Sequence, residues 1–504
     1  MKRVVIIGGG ISGLSTALYL KEQAASAGHE IEYLLIEKGS RLGGNILTEK
    51  VDGFLLEGGP DCFLSEKPWT AQLCRHLGLG DQIMPTTEEN KGTFVLSKGR
   101  LHEMPEGLIL MVPTKIMPLI ATSLFSWLGK LRMGLEIFIP PRHSKEDETL
   151  GSFVRRRLGN EALDKIAEPL VAGVHAGDPE TMSMRASFPK FMEMEDEHGS
   201  LIKGMLARMR KAKEVQRASA GPRPTMFMTL KGGLSEMINA IVSRLGSSSI
   251  KLNTAVSRIE EKDGKYFVYL LPGTVPILRQ DEALSVNRDS PLSLALSSAR
   301  KSGTVHYIEA DSVIISTPAH ISSSLLVELD NPLSEKLQTI PYVSTATVTL
   351  AFNASEVKLP KSFGFVIPRV EERKIMAATF TSRKFAGRCS DEYVMIRCFV
   401  GGSKNEYLVD LDDKEMVDMA RGELRDIIGI SAEPVLSRVY RWRKAMPQYT
   451  IGHLERMRWI SGRLHQHPGL YLTGSAYNGI GISDSIREGE ITAKRALDYL
   501  FPKR

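Results

Sequence analysis

Three features predict a mixed α/β (α+β) fold: a glycine turn after the first apolar strand, two further glycine clusters before residue 62, and a strand–glycine loop–helix near the C-terminus. They imply a Rossmann-like domain built from both chain ends, with a discontinuous β-sheet domain and an inserted helical domain between them. Residues 1–13 run from an apolar strand into Gly8, Gly10 and Gly13 at the G-x-G-x-x-G spacing. Gly8 allows the tight turn, Gly10 lets backbone approach a pyrophosphate, and Gly13 lets the next helix pack on its strand. That helix, Ile11 to about Ala25, aims its unpaired N–H groups and positive dipole end at phosphates. A second strand, Ile31–Ile36, ends at Glu37, placed to accept hydrogen bonds from an adenosine ribose. A glycine-rich turn without a ligand is the competing reading, and the strand–turn–helix–strand–acid order argues against it.

Glu37 opens a second block, Glu37-Lys-Gly-Ser-Arg-Leu-Gly-Gly44. Arg41 is placed there to pair with a phosphate, while Gly43 and Gly44 admit close backbone approach. Glu57-Gly-Gly-Pro-Asp61 is a third turn cluster, suited to bring backbone under a flat ligand. Near the C-terminus, Gly474–Asp484 again sets glycine turns at a helix start, where N–H groups face a pyrophosphate or an electron-rich ring.

The stretch from Leu108 to Ile139 is the most apolar in the chain. Pro113 and Pro118 interrupt it, and the uncharged run between Lys115 and Lys130 is shorter than the roughly 20 residues of a spanning helix. Two readings stay open: a helix lying in a membrane surface, with Lys115, Lys130 and Arg132 beside Phe125 and Trp127, or a buried core helix. From Ser200 to Pro224 the chain is basic and methionine-rich without interleaved aromatic residues, which favours the solvated face of a helix over a site for anionic lipid or acidic substrate. A serine-rich segment near 276–302 reads as a flexible loop inside a β region, between strand-like Lys265–Leu271 and Thr304–Ile308. Strands at Ser312–Ser316, Ala346–Phe352 and Tyr393–Val400 are assigned to a second sheet. The expected limits are 1–95 and 441–504 for the two parts of the nucleotide domain, 96–215 for the helical domain, 216–310 for segments shared by nucleotide domain and sheet, and 311–440 for the β domain.

At 504 residues the chain has room for two or three domains, and its 42% apolar and 25% charged content excludes wholesale disorder. A formal charge of +6 is mild for this length, and no zinc-finger, RNA-binding or helix-turn-helix pattern points to nucleic acid. Cys62, Cys74, Cys389 and Cys398 are scattered without a C-x-x-C pair, as expected of free thiols rather than a disulfide framework or metal site. Because the nucleotide motif starts at the initiator methionine, a cleaved signal peptide is not expected and the expected location is cytoplasmic, with peripheral membrane association as the one qualification.

Together, V-V-I-I-G-G-G-I-S-G, E-K-G-S-R-L-G-G and the C-terminal glycine motif resemble the FAD-dependent amine oxidase and desaturase superfamily. Within it the chain resembles the porphyrinogen oxidases, bacterial type, over nearly its whole length. The specific blocks are L-E-G-G-P-D-C-F at 56–63, L-V-A-G-V-H-A-G-D-P at 170–179, F-G-F-V-I-P at 363–368, M-P-Q-Y-T-I-G-H-L at 446–454 and G-S-A-Y-N-G-I-G-I-S-D at 474–484. The resemblance implies FAD held by Gly8, Gly9, Gly10, Ile11, Ser12, Gly13, Glu37, Lys38, Arg41, Gly44, Asn45 and the turn Gly58, Gly59, Pro60, Asp61. It also implicates Val256 near the adenine, Trp442, and Ile480, Gly481 and Ile482; simple core packing is an equal reading of Val256 and Trp442.

The resemblance further implies a porphyrinogen substrate, coproporphyrinogen III or protoporphyrinogen IX, in haem biosynthesis, with molecular oxygen as acceptor. Aromatisation removes six hydrogens, three as hydride and three as protons; flavin N5 can take a hydride from a bridging carbon, so the protein binds the macrocycle and excludes side reactions. No catalytic triad, metal cluster or carboxylate pair is expected. An apolar clamp is, with Phe399 aligned by resemblance with a residue packing on the macrocycle and Leu350 and Phe365 as further substrate candidates; ordinary strand core is the other reading of each. His175 and His453 lie in family-like motifs without a partner acid nearby in sequence and are read as structural.

Two departures stand out. The arginine that pairs with a substrate propionate in mitochondrial and plastid members falls near Thr93 here, with Lys91, Lys98 and Arg100 as substitutes, and the 276–302 segment exceeds the family pattern. The competing readings are an amine oxidase or carotenoid desaturase that shares only the FAD blocks, and a non-catalytic binding protein of the Rab escort type. Intact Glu37, Arg41 and the Gly43–Gly44 doublet argue against the latter.

Overall fold

The strand Lys2–Ile7 is buried from Val4 onward, with apolar side chains on both faces, which suits the interior of a parallel sheet. The computed structural model describes residues 1–109, 111–142, 144, 146–217, 225–271 and 306–502. Among them, that parallel sheet has five strands in the order Ile250–Lys251, Ile31–Ile36, Lys2–Ile7, Ser312–Ile315, Leu470–Leu472. The two chain ends therefore meet in one sheet. They also meet in one helix pair, because Gly489 lets helix Ile482–Leu500 lie against helix Ile11–Ser26: a Cβ on Gly489 would sit 2.3 Å from Ser15 Oγ. Leu14, Leu18, Ile486, Ala493 and Leu497 share a core with Val4, Ile6 and Leu35.

Ser312–Ile315 was expected in the second sheet and instead pairs in parallel with Lys2–Ile7, Ile7 against Ile315. Its four residues are all buried, the mark of an interior strand covered on both faces. The antiparallel strands Val256–Lys262, Lys265–Leu270 and Tyr307–Ala310 pack over this sheet through Ile259, Tyr266 and Val268. The 276–302 segment and residues 218–224 lie outside the described residues.

The second sheet has seven strands among the described residues, in the order Leu436–Pro447, Tyr342–Asn353, Tyr393–Gly401, Ile375–Phe380, Gly364–Val366, Phe94–Ser97, Arg100–Glu103. The boundary expected at 95/96 thus cuts a hairpin of this sheet, and the helical insertion follows it. One face of the sheet packs on Met416, Ala420 and Leu424 of helix Asp413–Ile428. The other looks toward the nucleotide domain and the helical insertion.

Leu108–Ile139 is neither a single interfacial helix nor a buried one. It divides into a hairpin of Leu108–Ile109 with Val112–Pro113, short helices Ile116–Ala121 and Trp127–Gly134, and a 3-10 turn Leu135–Phe138. Ser126 starts the second helix by accepting from Gly129 N at 3.0 Å. Leu124, Phe125 and Met133 enter the helical core, whereas Trp127 is 71%, Leu128 79% and Phe138 79% exposed. Within this segment Glu136 is fully buried, paired with Arg157 and accepting from Ser200 Oγ at 2.6 Å and Leu201 N at 2.8 Å. Its carboxylate thereby caps helix Leu201–Arg217, whose Lys203, Arg208 and Arg210 are exposed while Leu201 and Met205 are buried.

Candidate functional site

Close contacts shape the first turn. A Cβ on Gly13 would lie 2.0 Å from Gly8 O, so only glycine lets the helix seat on its strand. Gly8 takes φ +109°, its N–H donating to Ile36 O at 2.8 Å, and Ser316 Oγ lies 2.9 Å from both Ile7 O and Gly8 O. The Glu37 carboxylate spans two backbone donors, Gly9 N and Gly39 N, each at 2.7 Å. Gly43 N donates to Gly9 O at 2.8 Å, laying the loop of Gly44 and Asn45 across the turn. Thr254 N donates to Glu37 O at 3.0 Å, which brings the segment leading to Val256 to the same edge, beside exposed Lys38.

Arg41, expected on a phosphate, instead clips its own loop. It donates to Gly44 O at 2.5 Å, Ile46 O at 3.1 Å and Leu42 O at 3.2 Å, because the glycine bend turns these carbonyls onto the guanidinium.

This cradle fits a dinucleotide. Gly10 begins the helix without a side-chain cap, and a Cβ there would meet nothing closer than Gly44 Cα at 4.0 Å. The helix therefore presents its first N–H groups, on Ile11, Ser12 and Gly13, at an opening bounded by glycine backbone. A second helix start follows Gly481, after Ile480 and before Ser483, with Ile482 as its first residue. There Gly481 N donates to Asp484 Oδ2 at 3.3 Å, and Lys67 Nζ holds the same oxygen at 2.5 Å. The Tyr449 hydroxyl pins the preceding loop, donating to Ser475 O and accepting from Gly479 N, each at 2.7 Å.

His453 stacks on Tyr449 with ring centroids 3.9 Å apart, its Nε2 3.1 Å from Tyr477 O. Burial lowers its pKa to about 4, and does the same to His175, so both imidazoles are neutral at neutral pH.

The Glu57–Asp61 turn lies between the chain ends and the second sheet. Three donors converge on Gly58 O: Trp442 Nε1 at 2.9 Å, Thr347 Oγ1 at 3.1 Å and Arg397 Nη2 at 3.3 Å. Arg397 also donates to Gly59 O. A Cβ on Gly59 would lie 1.7 Å from Asn45 O, so the turn is pressed directly on the Asn45 loop. After Pro60, Asp61 pairs with Lys384 Nζ at 2.8 Å. Burial works to raise the Asp61 pKa, but Lys384 and Arg397 outweigh it and hold the carboxyl below the usual range. Burial pushes the neighbouring Cys62 thiol up to about 12, leaving it unreactive.

Phe399 shares a sheet face with Arg397 and Thr347; the guanidinium lies 4.9 Å over its ring, and it packs against the helical core. Leu350 and Phe365 do not share that face. Both are fully buried in the core under helix Asp413–Ile428, which removes them from the substrate surface. The register explains it: Thr347 opposes Phe399, and Leu350, three residues on, points the other way. Val366 and Ala377 occupy the face of Phe399 instead. Lys91, Lys98 and Arg100 are exposed; Lys91 pairs with Glu88 at 3.2 Å, and Glu371 ties the Lys98–Gly99 turn. Arg397, Lys384 and Thr347 contact the Gly58–Asp61 turn of the candidate site and are missed by sequence reasoning, although a lone arginine inside the apolar run M-I-R-C-F-V is a signal for the first.

The family model described as flavin containing amine oxidoreductase matches residues 11–497. The coproporphyrinogen III oxidase of Bacillus subtilis (strain 168) is 33% identical over 507 residues, covering 99% of each chain. That of Staphylococcus aureus (strain NCTC 8325 / PS 47) is 31% identical, covering 99% of this chain and 100% of its own. Among solved structures, an Exiguobacterium sp. 255-15 protein assigned as a protoporphyrinogen oxidase superposes with a TM-score of 0.80 at 29% identity, with 98% of each chain covered.

Proposed function

We propose that this chain, which belongs to the flavin containing amine oxidoreductase family, is an FAD-dependent oxidase that converts a porphyrinogen to the aromatic porphyrin in haem biosynthesis. Coproporphyrinogen III is the proposed substrate and molecular oxygen the acceptor. The observation that carries the reading is a dinucleotide cradle made by both chain ends, set against the sheet face of Phe399, in a chain that aligns end to end with two relatives bearing that substrate in their names.

Bound FAD supplies a two-electron acceptor for hydrogens leaving the macrocycle. The chain's own residues hold and exclude. The Gly8–Gly13 turn and Glu37 receive the nucleotide end; Gly44, Asn45 and the Gly58–Asp61 turn receive the ring, with the Ile480–Ile482 helix start as a further donor set. Phe399, half-buried beside the helical core, is the apolar side chain that faces a flat macrocycle in this reading. Burial keeps His175 and His453 neutral at neutral pH. Peripheral attachment to a membrane surface is part of the proposal. It is supported by exposed Met117, Trp127, Leu128, Leu131 and Phe138, with Lys130 Nζ 4.4 Å from the Trp127 ring and bonded to Ile120 O at 2.6 Å. No helix of the described residues is long and apolar enough to cross a membrane.

The test incubates FAD-loaded protein in air with coproporphyrinogen III, protoporphyrinogen IX and a panel of amines. Porphyrin fluorescence should grow fastest with coproporphyrinogen III and no amine should be consumed. Amine turnover without porphyrin formation would overturn the reading.

A further inference from the structure

We infer that Arg397 is a positioning residue that raises the electron affinity of the bound flavin, an inference that rests on the FAD reading above. Arg397 is 4% exposed and stands in the middle of strand Tyr393–Gly401, where an apolar side chain is the ordinary occupant. Its guanidinium lies between the Phe399 ring at 4.9 Å and the carbonyls of Gly58 and Gly59. Among the described residues it hydrogen-bonds only these neutral groups. Asp61, the acid beside it, is already bonded to Lys384 Nζ at 2.8 Å, so that pair is internally neutral. Glu57, the other acid of the turn, is buried, accepts from Thr48 Oγ1 and Leu234 N and is offset by buried Arg388, so Asp61 and Glu57 stand against Lys384, Arg388 and Arg397 and one buried positive charge is left over.

A buried cation without a bonded counter-ion is costly, and negative charge arriving beside it offsets that cost. A flavin that accepts two electrons acquires that charge, and charge near the ring tunes its electronics. Arg397 also orients the turn. By drawing the Gly58 carbonyl toward itself, with Trp442 and Thr347 adding two more donors, it fixes the Gly58–Gly59 peptide with its N–H on the opposite side. A ring held on that N–H side would meet the positive end of the backbone dipole and the guanidinium charge in the same sense.

The test is the flavin midpoint potential, read by equilibration with a reference dye, in the FAD-loaded wild type, Arg397→Gln and Arg397→Lys. Arg397→Gln should bind reduced flavin at least tenfold less tightly relative to oxidised flavin, a fall of about 30 mV for a two-electron couple. Arg397→Lys keeps the charge and should stay within about twofold of wild type on the same scale. A Gln variant with wild-type potential overturns the inference, as does a Lys variant that falls tenfold; where the Gln variant does not fold, the Lys variant decides alone. A colourless wild type that takes up no FAD sinks the cofactor reading itself, whereas a yellow wild type with an indifferent Arg397→Gln sinks only this inference.

Discussion

Replacing Gly10 with valine separates cofactor binding from folding. The backbone there is extended, with φ −72° and ψ 175°, a region open to valine, and the nearest atom to a new Cβ is Gly44 Cα at 4.0 Å. The added side chain therefore starts into the opening in front of the helix start with its Cβ clear of the protein. Folding loses only the N-cap preference of glycine over valine, about 1 kcal/mol. Binding loses more. Charge-assisted hydrogen bonds from helix N–H groups to a phosphate contribute roughly 1.5–3 kcal/mol each, so displacing two of them costs about 3–6 kcal/mol, or on the order of 10²–10⁴ in Kd. Gly13→Ala is the contrast: its Cβ would meet Gly8 O at 2.0 Å and Ser316 Oγ at 2.5 Å, so it damages turn and binding together. FAD titration of apo-protein, paired with thermal melting of the same samples, reads both quantities. Gly10→Val should leave apo-protein melting close to wild type and weaken FAD at least a hundredfold. A variant that retains FAD with wild-type affinity would refute the placement of the pyrophosphate at this turn.

Glu136→Ala should destabilise the helical insertion by about 2–4 kcal/mol, because it leaves the fully buried Arg157 with Glu195 at 3.5 Å as its remaining carboxylate and uncaps helix Leu201–Arg217; an unchanged melting temperature would contradict this. Glu168 accepts from Arg369 N at 2.9 Å, and burial raises its pKa from 4.5 to about 7. A carboxyl that holds its proton more tightly folded than unfolded is fully tolerated below pH 4.5 and costs stability progressively as pH rises toward 7. Glu168→Gln should therefore gain melting temperature over wild type as pH rises through that window, and a pH-independent offset would be the contrary result. Substituting Trp127, Leu128 and Phe138 together with serine should cut binding to vesicles containing anionic phospholipid at least tenfold, since each exposed side chain contributes about 1.5–3 kcal/mol when fully buried in lipid. Equal flotation of wild type and triple variant would remove the membrane reading.

The nucleotide turn is legible in the sequence because local rules determine it. Strand Ile31–Ile36 has its expected limits, and helix Ile11–Ser26 ends within a residue of them, since glycine spacing and apolar runs act over a few positions. The substrate face is not legible in the same way. Tyr342–Asn353 is buried on both faces, so alternation of apolar residues does not say which side Leu350 takes; only the pairing of Thr347 with Phe399 does. Lys384 and Asp61 are 323 positions apart, and Arg397 and Gly59 338, distances at which no local pattern reports a contact. The apolar stretch from Leu108 to Ile139 supports two readings because it carries residues of both kinds. Phe125 and Met133 turn inward, while Trp127 and Leu128 turn to solvent. Ser312–Ile315 reads as a strand from its residues, but its sheet is chosen by Lys2–Ile7, three hundred positions earlier.

The most direct test mixes FAD-loaded protein with coproporphyrinogen III in the absence of oxygen and follows the flavin and porphyrin bands together. The yellow flavin band should bleach as porphyrin appears, in the proportion that a six-hydrogen oxidation requires, and should return when air is admitted. A flavin that stays oxidised while porphyrin forms no faster than without protein would contradict the account.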